Sequence, residues 1–228
     1  MKRNFVLAIT GASGVTYAIR LLDVLAAAGC DVNLSISAAG RSLLKQELDL
    51  NVDLKDFHPS MLMLDRDRRP DDEKLQQLRS LAGISSEESS VLSVPSGEPG
   101  EIRYCHFQDL EAAIASGSFL TDGMVICPCS MGTLGAIVSG AGTNLIHRAA
   151  DVHLKEGRKL ILVPRETPLS LVQLENMRRA AEAGAVVLPA MPGFYHGVTA
   201  VADLVDFVVG RICDQLGIQN ALVPRWGS

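Results

Sequence analysis

The chain has 228 residues, with 21 basic and 26 acidic side chains and a net charge of −5. Hydrophobic residues make up 47% and charged residues 21%, which fits a globular protein with a full core. Aromatics are only 4% and no basic patch is interleaved with them, which argues against a nucleic-acid protein, and no apolar run approaches the ~18 residues of a membrane span.

Phe5–Thr10 is a short apolar run and predicts a buried strand. Gly11-Ala12-Ser13-Gly14 follows as a turn, and Val15–Ala28 has helical periodicity through Tyr17, Leu21, Leu22 and Leu25. Asp31–Ser37 alternates Val32, Leu34 and Ile36 as a second strand, and Ala38–Leu48 predicts a second helix. This opening suits a doubly wound parallel sheet of the α/β class. Between His58 and Gly100 the chain becomes charged and then Ser-, Glu-, Pro- and Gly-rich, with one short helix at Lys74–Leu81. Too few apolar residues remain there for a core, so the segment is expected to be a surface insertion in a single domain spanning 1–228.

Order returns at Ile102–Phe107, followed by a helical turn over Gln108–Ala115 and a small loop at Ser116-Gly117-Ser118. Gly123–Cys127 predicts a central strand that ends in an abrupt turn at Pro128. Ser130–Val138 and Asn144–Lys155 predict helices, Lys159–Val163 a strand, and Leu169–Ala183 a helix stopping at Gly184. Ala185–Leu188 is a short strand, Pro189–Gly197 a loop, and Val201–Leu216 the last long helix. The five cysteines are odd in number and scattered, and Cys127-Pro128-Cys129 is no C-x-x-C pair, so buried apolar thiols are expected. The histidines do not fall at ligand spacing, so no metal is expected. The start MKRNFVLAIT is too short for a signal peptide, and a cytoplasmic, reduced protein is the reading.

Ligands of an open parallel sheet bind beyond the carboxyl ends of its strands. Four loops fall there: Gly11–Gly14, Ser37–Gly40, Pro128–Thr133 and Pro164–Pro168. Gly-Ala-Ser-Gly is not a G-x-G-x-x-G fingerprint, and alone it reads as a turn capped by Ser13. In Cys127–Thr133, Ser130 and Thr133 offer hydroxyls and Gly132 offers backbone N–H groups at a helix start, a set for a phosphate or a flavin edge. Helix capping explains the same residues equally well. Arg148, Arg165 and Arg211 sit in apolar contexts, where a guanidinium usually meets a carboxylate or phosphate. Ion pairs are the alternative, Arg165 with Glu166 or Glu175 and Arg211 with Asp206 or Asp214, and for Arg211 alone they are the plainer explanation. Tyr195 lies in the loop MPGFYHGVT, with an ordinary packed ring as the alternative to a lid. Glu47 and Glu166 are candidate acid–base groups, although for Glu47 a solvated helix face is the usual reading.

Taken together, TGASG (Thr10–Gly14), CPCSMGTL (Cys127–Leu134), NLIHRAADVHLKEGRKLILVPRETPLS (Asn144–Ser170), LENM (Leu174–Met177), GAVVLPAMPGFYH (Gly184–His196), DLVDFVVGRICDQLGI (Asp203–Ile218) and PRWG (Pro224–Gly227) resemble the UbiX-type flavin prenyltransferases. The resemblance implies a Rossmann-like (flavodoxin-like) sheet in three α/β/α layers. It implies that FMN lies against Gly11, Ala12 and Ser13, held by Ser37, by Ser130, Met131, Gly132 and Thr133, and by Arg165. Dimethylallyl monophosphate is implied as second substrate, its phosphate met by Ser116, Gly117, Arg148, Lys155, Tyr195 and Arg211. Proton transfers fall to Ser13, Glu47 and Glu166. Reduced FMN is implied to take the allyl group on its central-ring nitrogen and then on its benzene ring, without a metal. The prenylated FMN passes to a UbiD-type decarboxylase, and a homododecamer built of trimers is implied.

The chain departs from that family in three places. Leu110 stands where an aromatic residue is common, Ser37-Ala38 replaces Ser-Lys, and the His58–Gly100 excursion is longer. Two other readings share the sheet. A flavin-dependent cysteine decarboxylase usually carries an early catalytic His, and none precedes His58 here. A non-catalytic FMN carrier has no need of an allylic phosphate site.

Overall fold

The computed structural model describes residues 2–62 and 100–224; the predicted helix Lys74–Leu81 lies outside them. The strands are β1 (Asn4–Ile9), β2 (Asp31–Ile36), β3 (Ile102–Tyr104), β4 (Gly123–Cys129), β5 (Leu160–Pro164) and β6 (Val186–Val187). They alternate with helices α1 (Val15–Ala27), α2 (Ala38–Leu48), α3 (Met131–Val138), α4 (Leu145–Lys155), α5 (Leu171–Glu182) and α6 (Val201–Leu216). All pairings are parallel, in the order β3-β2-β1-β4-β5-β6. The order reverses direction between β1 and β4, the place where such sheets open a crevice for ligands.

β1, β4 and β5 are apolar on both sides because helices cover both faces, whereas β2 puts the polar Asn33 and Ser35 on one side. Along β1, Phe5, Leu7 and Ile9 join the cluster with α1, Leu44 of α2 and the inner side of α6. Val6 and Ala8 join the opposite cluster with α3, α4 and Ala180 of α5. The layers are therefore α1, α2 and α6 over one face, and α3, α4 and α5 over the other.

β4 differs from its sequence reading. It does not stop at Pro128 but continues to Cys129, with a register shift between Ile126 and Cys129. Proline has no N–H to give a ladder, so it sits where the ladder is irregular. The irregularity changes parity: Cys127 joins one core cluster and Cys129 the other, although an unbroken strand would put both on one face. Both thiols are fully buried, and burial pushes the Cys129 thiol up to about 12, so neither is a ready nucleophile. β6 is shorter than the predicted Ala185–Leu188. The predicted turn over Gln108–Ala115 contains a 3-10 segment at Ala113–Ala115. The start of the expected insertion is anchored, since Pro59–Met61 forms a 3-10 turn and Leu62 is buried in the core.

His153 of α4 is buried, and its Nδ1–H donates to Ala149 O (2.7 Å) while Nε2 accepts from Thr121 Oγ1 (2.8 Å). Burial lowers its pKa, so the ring stays neutral when folded. The unfolded chain takes up this proton near pH 6.5. Between that pH and the lower folded value the unfolded state binds more protons, and stability rises with pH. Thermal melts should therefore show Tm falling as pH drops below about 6.5, with a shallower slope for His153→Gln. His147, half-buried and shifted in the same direction, is present in both proteins. Parallel curves would mean that His153 is not the group responsible.

Candidate functional site

The loops at the carboxyl edge of the sheet are tied to one another at the switch point. Thr10, buried at the end of β1, donates from Oγ1 to Pro128 O (2.8 Å) and accepts from Ser130 N (2.9 Å). This staple joins the β1 and β4 loops, and the sequence reading gave Thr10 no role because a strand-end threonine carries no mark of its partner. Gly11 has no room for a side chain, since a Cβ there would lie 2.6 Å from Ala39 Cβ. Gly40 is equally confined, with Ile9 O 2.6 Å from where its Cβ would be. The β1 loop and the start of α2 thus meet backbone to backbone.

Ser13 is not the cap of α1. That position belongs to Gly14, at φ 106 and with no side-chain cap. Glu47 of α2 supplies the missing acceptor: its carboxylate takes Gly14 N at 2.9 and 3.1 Å and Val15 N at 3.0 Å. Glu47 is exposed, as a solvated helix face predicts, and it also caps the positive end of α1. The Ser13 carbonyl accepts from Arg165 Nε (3.2 Å), which brings the β5 loop to the β1 loop in place of the pairs with Glu166 or Glu175. Glu166 instead accepts from Thr167 N (3.1 Å), and Glu175 pairs with Arg178 and Arg179. Ser37 caps α2 by accepting from Gly40 N (3.0 Å), and Ser130 caps α3 by accepting from Thr133 N (3.2 Å). Gly132, in the first turn of α3, faces open space. The N-termini of α1, α2 and α3 thus lie at one edge of the sheet; that of α1 is occupied by the Glu47 carboxylate, and those of α2 and α3 suit an anion or the polar edge of a ring system.

A second group lies around α4. Arg148 donates from Nε to Ala115 O (3.1 Å) and pairs with Asp151 (2.7 Å). Lys155 pairs with Glu156 (2.6 Å), and Gly117 fits against both side chains. Arg158, not singled out from sequence, holds this loop by donating to Gly117 O and, at 2.7 Å, to Phe119 O. Ser116, Gly117, Arg148 and Lys155 are thus neighbours.

Tyr195 and Arg211 are elsewhere. Arg211 projects from α6 with its side chain 54% exposed and paired to Asp214 (2.9 Å). Asp206, the other candidate partner, forms a buried pair with Arg20 of α1 (2.7 Å) instead. A groove of about 350 Å³ opens between β6 and α6, walled by Val186, Leu188, Pro189, Phe207 and Val208, with Arg211 among its lining. Tyr195 is 63% exposed. α4 and α6 cover opposite faces of the sheet, so Arg148 and Lys155 stand on helices of one layer and Arg211 on a helix of the other.

Residues 1–213 match the Flavoprotein family. The chain is 44% identical over 222 residues to the flavin prenyltransferase UbiX of Pseudomonas aeruginosa, covering 97% of this chain and 93% of that protein. It is similar to the structure of AnUbiX in complex with FMN and dimethylallyl pyrophosphate, with a TM-score of 0.76 and 34% identity over 100% and 99% of the two chains. A dodecameric FMN-dependent UbiX-like decarboxylase from Escherichia coli O157:H7 gives a TM-score of 0.72 at 34% identity over 99% of each chain. The likeness covers nearly the whole chain, and the chain belongs to the UbiX family of flavin prenyltransferases.

Proposed function

We propose that the chain joins the dimethylallyl group of dimethylallyl monophosphate to reduced FMN, releasing phosphate and giving prenylated FMN for a UbiD-type decarboxylase. One observation carries the flavin half: the N-termini of α2 and α3 meet the glycine turn before α1 at the switch point, with open space beside Gly132. That donor set fits FMN, which has anionic and carbonyl oxygens to receive N–H groups and a flat ring that needs glycine-lined approach. Gly11, Ala12, Ser13, Ser37 and Ser130–Thr133 hold the flavin in this reading. Arg165 spends Nε–H on Ser13 O and keeps its other N–H groups for the flavin. Reduced FMN, when bound, supplies the nucleophilic nitrogen and the ring carbon for the two new bonds. Ser13, Glu47 and Glu166 move protons at this edge.

The leaving phosphate needs cations, and charge-assisted bonds to an oxyanion are strong where water is excluded. Ser116, Gly117, Arg148 and Lys155 offer such a set on one face, Tyr195 and Arg211 on the other. A second copy of the chain completes the clamp, in a homododecamer like the Escherichia coli relative. Five free thiols support a reducing, cytoplasmic compartment.

Anaerobic incubation with reduced FMN and dimethylallyl phosphate should raise the flavin mass by one C5H8 unit. An unchanged mass would overturn the activity. Arg148→Ala and Arg211→Ala should each lose turnover while keeping bound FMN, and mixed oligomers of the two should recover part of it. No recovery would place both residues in a clamp drawn from one chain.

A further inference from the structure

The loop between β6 and α6 holds an aromatic box built around Tyr195. His196 stacks on Phe207, with ring centroids 5.3 Å apart and planes 17° from parallel. Tyr195 stands edge-on to both rings, 6.0 Å from His196 and 5.7 Å from Phe207. A Cβ on Gly193 would come within 2.9 Å of Tyr195 Cε1 and 3.0 Å of the Phe207 ring, so backbone closes a further side. Asp203 anchors the end of the loop, its carboxylate accepting from Thr199 N and Ala200 N, both at 2.9 Å. The carbonyl of the same Asp203 accepts from His196 Nε2 at 3.3 Å. With Nε2 donating, Nδ1 is a bare acceptor, and it is buried without a partner among the described residues.

A ring that only filled space would not be built this way. Phenylalanine would stack on Phe207 as well and would remove a buried nitrogen that has no partner. What histidine adds is the Nε2–H bond to the first turn of α6, which fixes the rotation of the ring. That rotation sets the wall against which Tyr195 leans. We infer that His196 is the positioning residue for Tyr195, holding its phenol at the angle at which it meets the phosphate of the prenyl substrate.

Tyr195 meets phosphate only under the function proposed above, so the test separates the two. His196→Phe, His196→Gln, Tyr195→Phe and the double variant Tyr195→Phe/His196→Phe are compared with the intact protein loaded with FMN. His196→Phe is expected to melt no lower than the parent and to keep its flavin. Its KM for dimethylallyl phosphate rises about tenfold while kcat stays within about threefold. His196→Gln keeps a donor at the same reach and recovers most of the loss. In the double variant the His196 change adds nothing to Tyr195→Phe. Parent-like kinetics for His196→Phe beside an impaired Tyr195→Phe would overturn the positioning role alone. Losses that multiply in the double variant would do the same, as would a lower Tm or loss of FMN in His196→Phe. If Tyr195→Phe is itself unimpaired, the phosphate role of Tyr195 fails and the positioning role with it.

Discussion

Gly40→Ala should cost about 3 kcal/mol and most of the bound flavin, although it adds only one methyl group. The methyl would sit 2.6 Å from Ile9 O and 3.0 Å from Ile9 C. Those are backbone atoms of β1, held in the sheet between β2 and β4, so no side-chain rotation relieves the contact. Ile9 O also accepts from Ser37 N (3.0 Å), and Ser37 Oγ accepts from Gly40 N (3.0 Å). Moving α2 away therefore breaks the cap that joins it to the sheet, and it moves Glu47 away from α1. For a chain of this length, about 3 kcal/mol corresponds to a fall in Tm of about 10 °C. Gly132→Ala is the informative contrast. Nothing lies within 4 Å of its added methyl, so its Tm should match the parent. If the flavin occupies the space beside Gly132, that variant should fold normally and bind FMN about tenfold more weakly or worse, as read by fluorescence titration. Normal FMN affinity in both variants would remove the flavin from this edge.

The strand–helix alternation was legible because β1, β4 and β5 are apolar runs, β2 alternates, and Gly, Ser or Asp bound them. α2 has its predicted limits, and α1 ends one residue early, at Ala27. Local chemistry sets such boundaries, as where Ser37, Ser130, Asn144 and Ser170 accept from the backbone of their own first turns. β4 was read short because Pro128 looks like a terminator. Whether a proline ends a strand or sits at an irregularity depends on the neighbouring strand, which local sequence does not describe.

The candidate site divides along the same line. Loops that follow β1, β2, β4 and β5 could be assigned to one edge from parallel topology alone. Partners of their side chains could not. Glu47 caps a helix that begins 32 residues before it, and Thr10 staples a loop 120 residues away. Nor does periodicity tell which face of the sheet a crossover helix covers. Arg148 and Arg211 look alike in sequence, each on an amphipathic helix, yet the chain lays those helices on opposite faces.

Glu47→Gln separates the two jobs that the structure and the proposed chemistry give this carboxylate. As a cap it needs only an acceptor oxygen near Gly14 N and Val15 N, and an amide oxygen can serve. As an acid–base group it needs to gain and lose a proton, which an amide cannot do. The glutamine variant should thus keep its flavin and melt within about 1 kcal/mol of the parent, while turnover falls about 100-fold or more. Glu47→Ala removes the acceptor as well. It leaves the α1 N-terminus with no side-chain cap, because Gly14 has none of its own. It should lose about 1 kcal/mol and loosen the Gly11–Gly14 turn, so that flavin affinity falls together with rate. Melting curves, FMN titration and single-turnover mass spectrometry on both variants give the comparison. Should the glutamine variant turn over at the parental rate, Glu47 is a cap and nothing more, and the proton transfers must rest on Ser13 and Glu166. Should both variants lose flavin alike, the negative charge at the helix end, rather than the acceptor, holds the turn in shape.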